Sequence, residues 1–174
     1  GIRPIVCGEV FTRLLAKCIV LKEQSSLSSK LQPIQAGVGL PGGSEFVVHT
    51  VRSMVQANPG YCAVVIDFRN AYGSMDRAAI ANQLNIFKSD NTVFTHQYFH
   101  RFTLPRTTIT ASDGTNFVTN CGVTQGDPLS PLFFSLGLHQ LLANAQQTLG
   151  ASGRVFAYLD DVTLVGSPDD VFTA

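Results

Sequence analysis

The sequence has few charged residues, no excess of either charge, and no long hydrophobic run. Charged residues make up 14% of the 174 positions, and 12 Lys and Arg balance 12 Asp and Glu, so the net charge is zero. Nucleic-acid-binding proteins are usually more basic, so the composition counts against a polynucleotide partner, although local clustering of charge can outweigh the sum. No apolar run reaches the roughly 18 residues that a bilayer span needs, and we expect no membrane partner.

The sequence also lacks paired cysteines. Its four cysteines are scattered, and none belongs to a CxxC pair, which argues against a zinc site. No signal peptide is recognisable at the start of the sequence. We therefore expect reduced thiols and an intracellular protein, either nuclear or cytoplasmic.

What is present is a globular composition, with 45% hydrophobic residues. Apolar spacing predicts helices over 9–20 and from Ser44, as its N-cap, to Val55, with a Gly- and Pro-rich loop over 31–43 between them. The run "YCAVVIDF" (61–68) predicts a strand, and Ser74 is the expected cap of the helix that follows.

The second half of the sequence also predicts alternating strands and helices. Asp113-Gly114 predicts a hairpin turn within 106–120. Asp127-Pro128 predicts the start of a helix that ends at Gly150. The closing run "FAYLDDVTLVG" (156–166) predicts a hairpin with its turn at Asp160-Asp161. Helices and antiparallel strands in this order favour an α+β fold, with a sheet covered by helices on one face.

Three acids stand at the ends of apolar strands. Asp67 ends "VVIDF", and Asp160 and Asp161 interrupt the closing run. If the two strands are neighbours in one sheet, three carboxylates come close together and cannot all stay ionised without cations. Mg²⁺, with its preference for oxygen ligands and substrate phosphates, suits such a site. The simpler interpretation is a solvated hairpin tip for the Asp pair and a strand-end or capping role for Asp67.

Five sequence blocks carry a family resemblance. The blocks "VVIDFRNAY" (64–72), "GVTQGDPLSPLFFSL" (122–136) and "AYLDD" (157–161) resemble the three palm motifs of reverse transcriptases, in that order. The blocks "RPIV" (3–6) and "QAGVGLPGGSEFVVHTVR" (35–52) resemble the fingers motifs of the non-LTR (LINE-like) retrotransposon lineage. One departure is Leu159, where many LINE-like enzymes have alanine; we expect it to affect fidelity rather than activity.

The resemblance implies the fingers and palm of a right-hand polymerase, with an antiparallel, ferredoxin-like palm sheet. It divides the chain into fingers (1–60), palm (61–88), a fingers or palm insertion with a hairpin (89–120) and palm again (121–174). The family continues with a thumb that this sequence lacks. We therefore expect a fragment that is a weak or inactive polymerase by itself.

The resemblance also implies roles for individual residues. Asp67, Asp160 and Asp161 would be the catalytic acids and metal ligands, with the carbonyl of Phe68 as a further ligand. Tyr72 would exclude a ribose 2′-hydroxyl and so favour deoxynucleotides. The remaining expected substrate-binding residues are Gln125, Gly126 and Arg3.

The implied reaction is RNA-directed DNA synthesis with two Mg²⁺ ions, or Mn²⁺ in their place. The expected partners are an RNA template, a DNA primer or target, and deoxynucleoside triphosphates. Two alternatives remain open on the sequence. One is a degenerate or domesticated, non-catalytic domain that binds nucleic acid; the other is a viral RNA-dependent RNA polymerase, which has a similar palm.

Overall fold

A three-stranded antiparallel sheet contains both of the acid-bearing strands. The computed structural model describes residues 5–174. The sheet has the order β1-β5-β4. Its strands are β1 (Cys62–Ile66), β4 (Arg154–Tyr158) and β5 (Asp161–Gly166). The sequence separation between β1 and β5 is large, so this pairing brings the two halves of the chain together.

Seven α-helices and a second, two-stranded sheet complete the described part of the chain. The second sheet is the hairpin β2 (Thr107–Thr110) and β3 (Asn116–Thr119), which turns at Asp113-Gly114 as predicted. A 3-10 turn at Asp90–Thr92 precedes α5, and a π-helical turn at Phe99–Thr103 follows it. The helices are α1 (Val10–Leu31), α2 (Gly43–Ala57), α3 (Ala71–Ser74), α4 (Arg77–Ile86), α5 (Val93–Tyr98), α6 (Ser130–Leu149) and α7 (Pro168–Thr173).

Helix α6 forms the centre of the hydrophobic core. Phe133 and Phe134 are almost fully buried, because the first half of this helix is apolar nearly all round and packs against both α4 and the sheet. The sheet contributes Val155 and Ala157 to the same cluster. Phe156 points to the opposite face, where its ring lies 6.1 Å from that of Phe46 in α2. The sequence predicted helices on one face of the sheet, and the main core does lie on one face. Helix α2, however, covers part of the other face.

Several predicted helix starts are wrong by a few residues. Ser44 lies inside the first turn of α2, whose N-cap is Gly42 in a left-handed conformation (φ 66°). The cap of α4 is Asp76 rather than Ser74, since the Asp76 side chain accepts a hydrogen bond from the Ala78 amide at 2.9 Å. Serine and aspartate compete for such positions, and their order along a polar segment does not decide between them.

The start of α6 and the length of α1 also differ from expectation. Asp127 accepts a hydrogen bond from the Leu129 amide at 2.8 Å, but the helix begins at Ser130. The end of α6 at Gly150 is confirmed. Helix α1 continues to Leu31, well beyond residue 20, because its serine-rich second half buries Leu27 and Leu31 in the core. Among residues 5–174, no helix is long and apolar enough to cross a membrane.

Candidate active site

The register of the sheet places Asp67 beside Asp161. Ile66 at the end of β1 pairs with Val162 in β5. Because the strands are antiparallel, the residue after Ile66 lies opposite the residue before Val162. Asp67 and Asp161 are therefore the next opposed positions in this register. Directly opposed residues on antiparallel strands lie about 4.5–5.5 Å apart between Cα atoms. The predicted pairing of the two acid-bearing strands is therefore confirmed.

Asp160 lies in the two-residue turn that joins β4 to β5. Tyr158 pairs with Asp161, which leaves Leu159 and Asp160 as the turn residues. The turn is one residue earlier than the predicted Asp160-Asp161 position. Asp160 is half-buried, whereas Asp67 and Asp161 are exposed. The side chains differ in surroundings even though the backbone gathers all three at one end of the sheet.

The side chains do not form a closed metal cage. Across the described residues 5–174, no three His, Cys, Asp or Glu side chains are grouped tightly enough to hold a metal ion. Like-charged carboxylates repel one another, which favours side-chain rotamers that point apart. The donor set itself, three carboxylates at adjacent strand ends, is chemically suited to a hard divalent cation.

A pocket of about 320 Å³ opens next to the turn. It brings together five of the residues that the sequence predicted for the site: Phe68, Tyr72, Gln125, Gly126 and Asp160. Asp67 is not part of its lining. The remaining lining residues are Asn70, Ala71, Asp127, Ser130, Pro131 and Leu159.

The ring of Tyr72 forms one wall of this pocket. It stacks on Phe134 in α6 with 4.6 Å between ring centroids and 6° between planes. The backbone carbonyl of Tyr72 accepts a hydrogen bond from the Val123 amide at 2.8 Å. Burial, and secondarily the charge of Asp160, raise the pKa of the Tyr72 hydroxyl to about 12. The phenol is therefore neutral at physiological pH, and its position is fixed by packing from α6.

Gln125 and Gly126 form a second wall and are held by the N-terminal segment. The Val6 amide donates a hydrogen bond to the Gln125 carbonyl at 2.8 Å. Gly126 has a φ of 113°, and a Cβ at this position would collide with the carbonyl oxygen of Val6. Any other residue would therefore displace this strand-like contact, which explains the glycine. The predicted substrate contact of Arg3 lies outside the described residues.

Sequence reasoning missed the role of Arg77, which bonds to the segment that leads to Gln125. This side chain is 4% exposed, and burial lowers the pKa of its guanidinium. It donates hydrogen bonds to the carbonyls of Gly122 at 2.8 Å, Pro105 at 2.6 Å and Cys121 at 3.2 Å. Arg77 thus ties the segment before Gln125 to the base of the β2–β3 hairpin. Its sequence position, in the first turn of a helix, gave no sign of burial.

Comparisons with known proteins agree with this geometry. A family profile described as "Reverse transcriptase (RNA-dependent DNA polymerase)" matches residues 1–171. The Pol polyprotein of the type-1 retrotransposable element R2 from Popillia japonica is 29% identical over 96% of this chain. The 132 kDa protein of the retrotransposable element SLACS from Trypanosoma brucei gambiense is 30% identical over 97% of this chain. The chain spans 25% and 14%, respectively, of the lengths of these relatives.

Solved structures of telomerase share the fold. Telomerase from Candida tropicalis, truncated from its C-terminal domain, matches 92% of this chain and 35% of its own, with a TM-score of 0.61 at 14% identity. Telomerase from Candida albicans, in complex with a TWJ fragment of telomeric RNA, matches 95% of this chain and 32% of its own, with a TM-score of 0.61 at 12% identity. The right-hand polymerase fold and the resemblance noted in the sequence are both confirmed. The chain belongs to the reverse transcriptase family, and both of these relatives are proteins of retrotransposable elements.

Proposed function

We propose that this chain is the fingers and palm of an enzyme that copies RNA into DNA. The reaction is the template-directed addition of a deoxynucleoside monophosphate to a primer 3′-hydroxyl, with release of pyrophosphate. The observation that carries the proposal is the pairing of β1 with β5, which places Asp67 beside Asp161 at the end of the sheet where Asp160 faces the pocket. Because the chain spans a small part of its relatives, the activity is proposed for the full-length protein.

Reverse transcriptases use divalent metal ions, and we assign the ligands here to Asp67, Asp160 and Asp161. The carbonyl of Phe68, the residue after Asp67 and part of the pocket lining, is the further oxygen ligand. Two Mg²⁺ ions, or Mn²⁺ in their place, would stabilise the attacking and the leaving oxygens of an in-line displacement. The chain's own contribution is to hold the carboxylates on paired strands, where backbone hydrogen bonds fix their spacing.

Tyr72 is the proposed determinant of sugar selection. Its ring is fixed against Phe134 and lines the same pocket as Asp160. Because Phe134 holds the ring in place, the ring leaves no space for an additional 2′-hydroxyl on the sugar. A deoxynucleotide therefore fits, and a ribonucleotide is rejected. Gln125 and Gly126 on another wall are placed to contact the base pair or its backbone, since the glycine allows close approach. Arg3 remains a proposed contact to template or incoming nucleotide.

The proposed partners are an RNA template, a DNA primer or target, and deoxynucleoside triphosphates. One of the telomerase structures that share this fold holds a fragment of telomeric RNA, and the two relatives are proteins of retrotransposable elements. These matches support a polynucleotide partner despite the neutral net charge of the chain. They also favour DNA synthesis over the RNA synthesis of a viral RNA-dependent RNA polymerase.

Primer extension by the full-length protein tests the proposal. An RNA template with an annealed DNA primer is supplied with dNTPs, first in the presence of a chelator and then with Mg²⁺ or Mn²⁺ restored. We expect extension that depends on the divalent ion and is lost in Asp160→Asn. The matched control is Asp169→Asn, an exposed acid in the first turn of α7, which should extend normally. No extension by the wild type with either ion would instead support a non-catalytic nucleic-acid-binding role, and equal extension by Asp160→Asn and the wild type would count against Asp160 as a metal ligand.

A further inference from the structure

A buried glutamine contacts the backbone of the turn that carries Asp160. Gln35 is 1% exposed. Its Oε1 accepts hydrogen bonds from the Leu159 amide at 2.8 Å and the Gly37 amide at 2.9 Å, and its Nε2 donates to the Leu159 carbonyl at 3.3 Å. Because two N–H donors face one side-chain atom, that atom must be the oxygen, which fixes the orientation of the amide. One side chain thus satisfies both polar backbone groups of Leu159.

Leu159 needs such support because its conformation is unfavourable. Its φ is 58°, in the left-handed region that leucine rarely adopts. The first position of a two-residue hairpin turn with positive φ is normally occupied by glycine, asparagine or aspartate. A strained residue of this kind persists when its surroundings determine its conformation, and Gln35 supplies bonds to both its amide and its carbonyl.

Gln35 is itself held against the sheet. The Ala36 amide donates to the Ala157 carbonyl, and the Ala157 amide donates to the Ile34 carbonyl, each at 2.7 Å. These bonds form a short parallel bridge along the outer edge of β4. Gly37 continues the contact so closely that a Cβ there would lie 2.6 Å from the Leu159 nitrogen. The segment 34–37 therefore has little freedom to move away from the turn.

We propose that Gln35 is a positioning residue that fixes the Leu159 peptide and thereby the direction of the Asp160 and Asp161 side chains. The proposal rests on the polymerase function proposed above for these acids. Gln35 does not contact substrate in this role. It acts through the turn, since rotation of the Leu159 peptide would redirect the carboxylate of the next residue in the chain.

The main test replaces Gln35 with a side chain of similar length that cannot form hydrogen bonds. In Gln35→Met full-length protein, we expect amide hydrogen exchange in the segment 156–162 to accelerate by roughly tenfold. We also expect kcat for primer extension to fall roughly 10- to 100-fold, because small displacements of reacting groups cost this much. The half-saturating Mn²⁺ concentration should rise, while the affinity for primer–template should not change.

A matched control and a rescue separate positioning from packing. Gln83, a buried glutamine of α4, is the control; Gln83→Met should leave exchange in 156–162 at the wild-type rate. In the rescue, Leu159→Gly is added to Gln35→Met. Glycine adopts positive φ without strain, so the turn depends less on Gln35, and the double variant should recover several-fold in kcat relative to Gln35→Met. A loss of packing alone would show no such recovery.

A second variant keeps the test decisive if Gln35→Met fails to fold. Gly37→Ala leaves Gln35 in place but pushes against the Leu159 nitrogen, and it should reproduce the faster exchange and lower kcat. The proposal is overturned if folded Gln35→Met or Gly37→Ala shows wild-type exchange and kcat while Asp160→Asn is inactive. If Asp160→Asn extends primers like the wild type, the catalytic assignment of Asp160 fails instead, and exchange still reports whether Gln35 fixes the turn.

Discussion

Glu23 in α1 and the acids at the end of the sheet are carboxylates in very different surroundings. Glu23 is 1% exposed, and its two oxygens accept hydrogen bonds from the Phe94 amide at 3.0 Å and the Thr95 amide at 2.7 Å. These amides belong to the first turn of α5, whose N–H groups have no partner within the helix. Asp67 and Asp161, by contrast, are exposed at strand ends.

The difference separates a carboxylate that serves the fold from carboxylates that remain available to a ligand. Glu23 lies among donors of its own chain, so its removal should affect stability. The strand-end acids lie on a rigid sheet and remain accessible, so their removal should affect chemistry. Burial and hydrogen-bond partners, rather than residue type, distinguish the two roles. Two predictions test this separation directly, and two more concern Tyr72, which lines the pocket together with Asp160.

The largest effect should come from the strand-end acids themselves. Asp67→Asn or Asp161→Asn should lower kcat for primer extension on the order of 10³-fold, because an amide cannot replace a charged ligand near developing phosphoryl charge. The free energy of unfolding should change by no more than about 0.5 kcal/mol, as is usual for exposed positions. Asp113→Asn at the tip of the hairpin is the control. Retention of more than about a tenth of wild-type kcat would count against the assignment.

The next largest effect should be on stability. Glu23→Ala leaves the Phe94 and Thr95 amides without their acceptor, and we expect the free energy of unfolding to fall by about 2–4 kcal/mol. Denaturant unfolding measures this change. Glu9 at the start of the same helix is a matched control: it is exposed and caps α1 by accepting from the Thr12 amide at 3.0 Å. Glu9→Ala should cost much less than Glu23→Ala, because its cap hydrogen bond is exposed to solvent. A large loss of kcat per folded molecule in Glu23→Ala would break the comparison.

A smaller effect should appear in substrate choice. Tyr72→Ala removes the aromatic wall of the pocket, so the preference for dNTPs over rNTPs should fall roughly 10- to 100-fold, the range expected when a pocket loses a steric contact. Ratios of kcat/KM for the two nucleotides measure the preference. Tyr72→Phe keeps the ring and should keep the preference. Unchanged selectivity in Tyr72→Ala would place sugar selection elsewhere.

The smallest effect should be on the pH dependence of stability. The pKa of Tyr72 in the folded protein is raised from 10.0 to about 12. A raised pKa of this neutral acid means that the folded state keeps its proton while the unfolded state loses it, so stability falls as the pH rises from about 10 through about 12. Unfolding free energies at several pH values should therefore fall less steeply in this range for Tyr72→Phe than for the wild type. Identical slopes would mean that the hydroxyl is not desolvated.

Features set by local patterns were predictable from the sequence. The acid-bearing strands follow from short apolar runs, the β2–β3 turn from Asp113-Gly114, and the end of α6 from Gly150. The pairing of β1 with β5 could be stated only as a condition, because it depends on contacts between residues far apart in the chain. The family resemblance supplied the proposed roles of Tyr72 and Gln125, which spacing alone did not.

What could not be predicted depends on long-range burial. Glu23, Gln35 and Arg77 are polar residues whose sequence surroundings suggest exposed positions. Each is buried because backbone groups from a distant segment form hydrogen bonds with its side chain. The spacing of apolar residues along the sequence does not indicate where such partners will lie. The extension of α1 to Leu31 has the same cause, since tertiary contacts outweigh the weak helix propensity of its serines.

The bridge between Gln35 and β4 has a consequence for any shortened version of this protein. A palm fragment that begins after about residue 40 would keep Asp67, Asp160 and Asp161 but would lose the amide that bonds to Leu159. It would also expose the hydrogen-bonding edge of β4, and free strand edges promote self-association. Shortened versions of this protein should therefore start upstream of residue 34, even though the three acids of the proposed site lie far downstream.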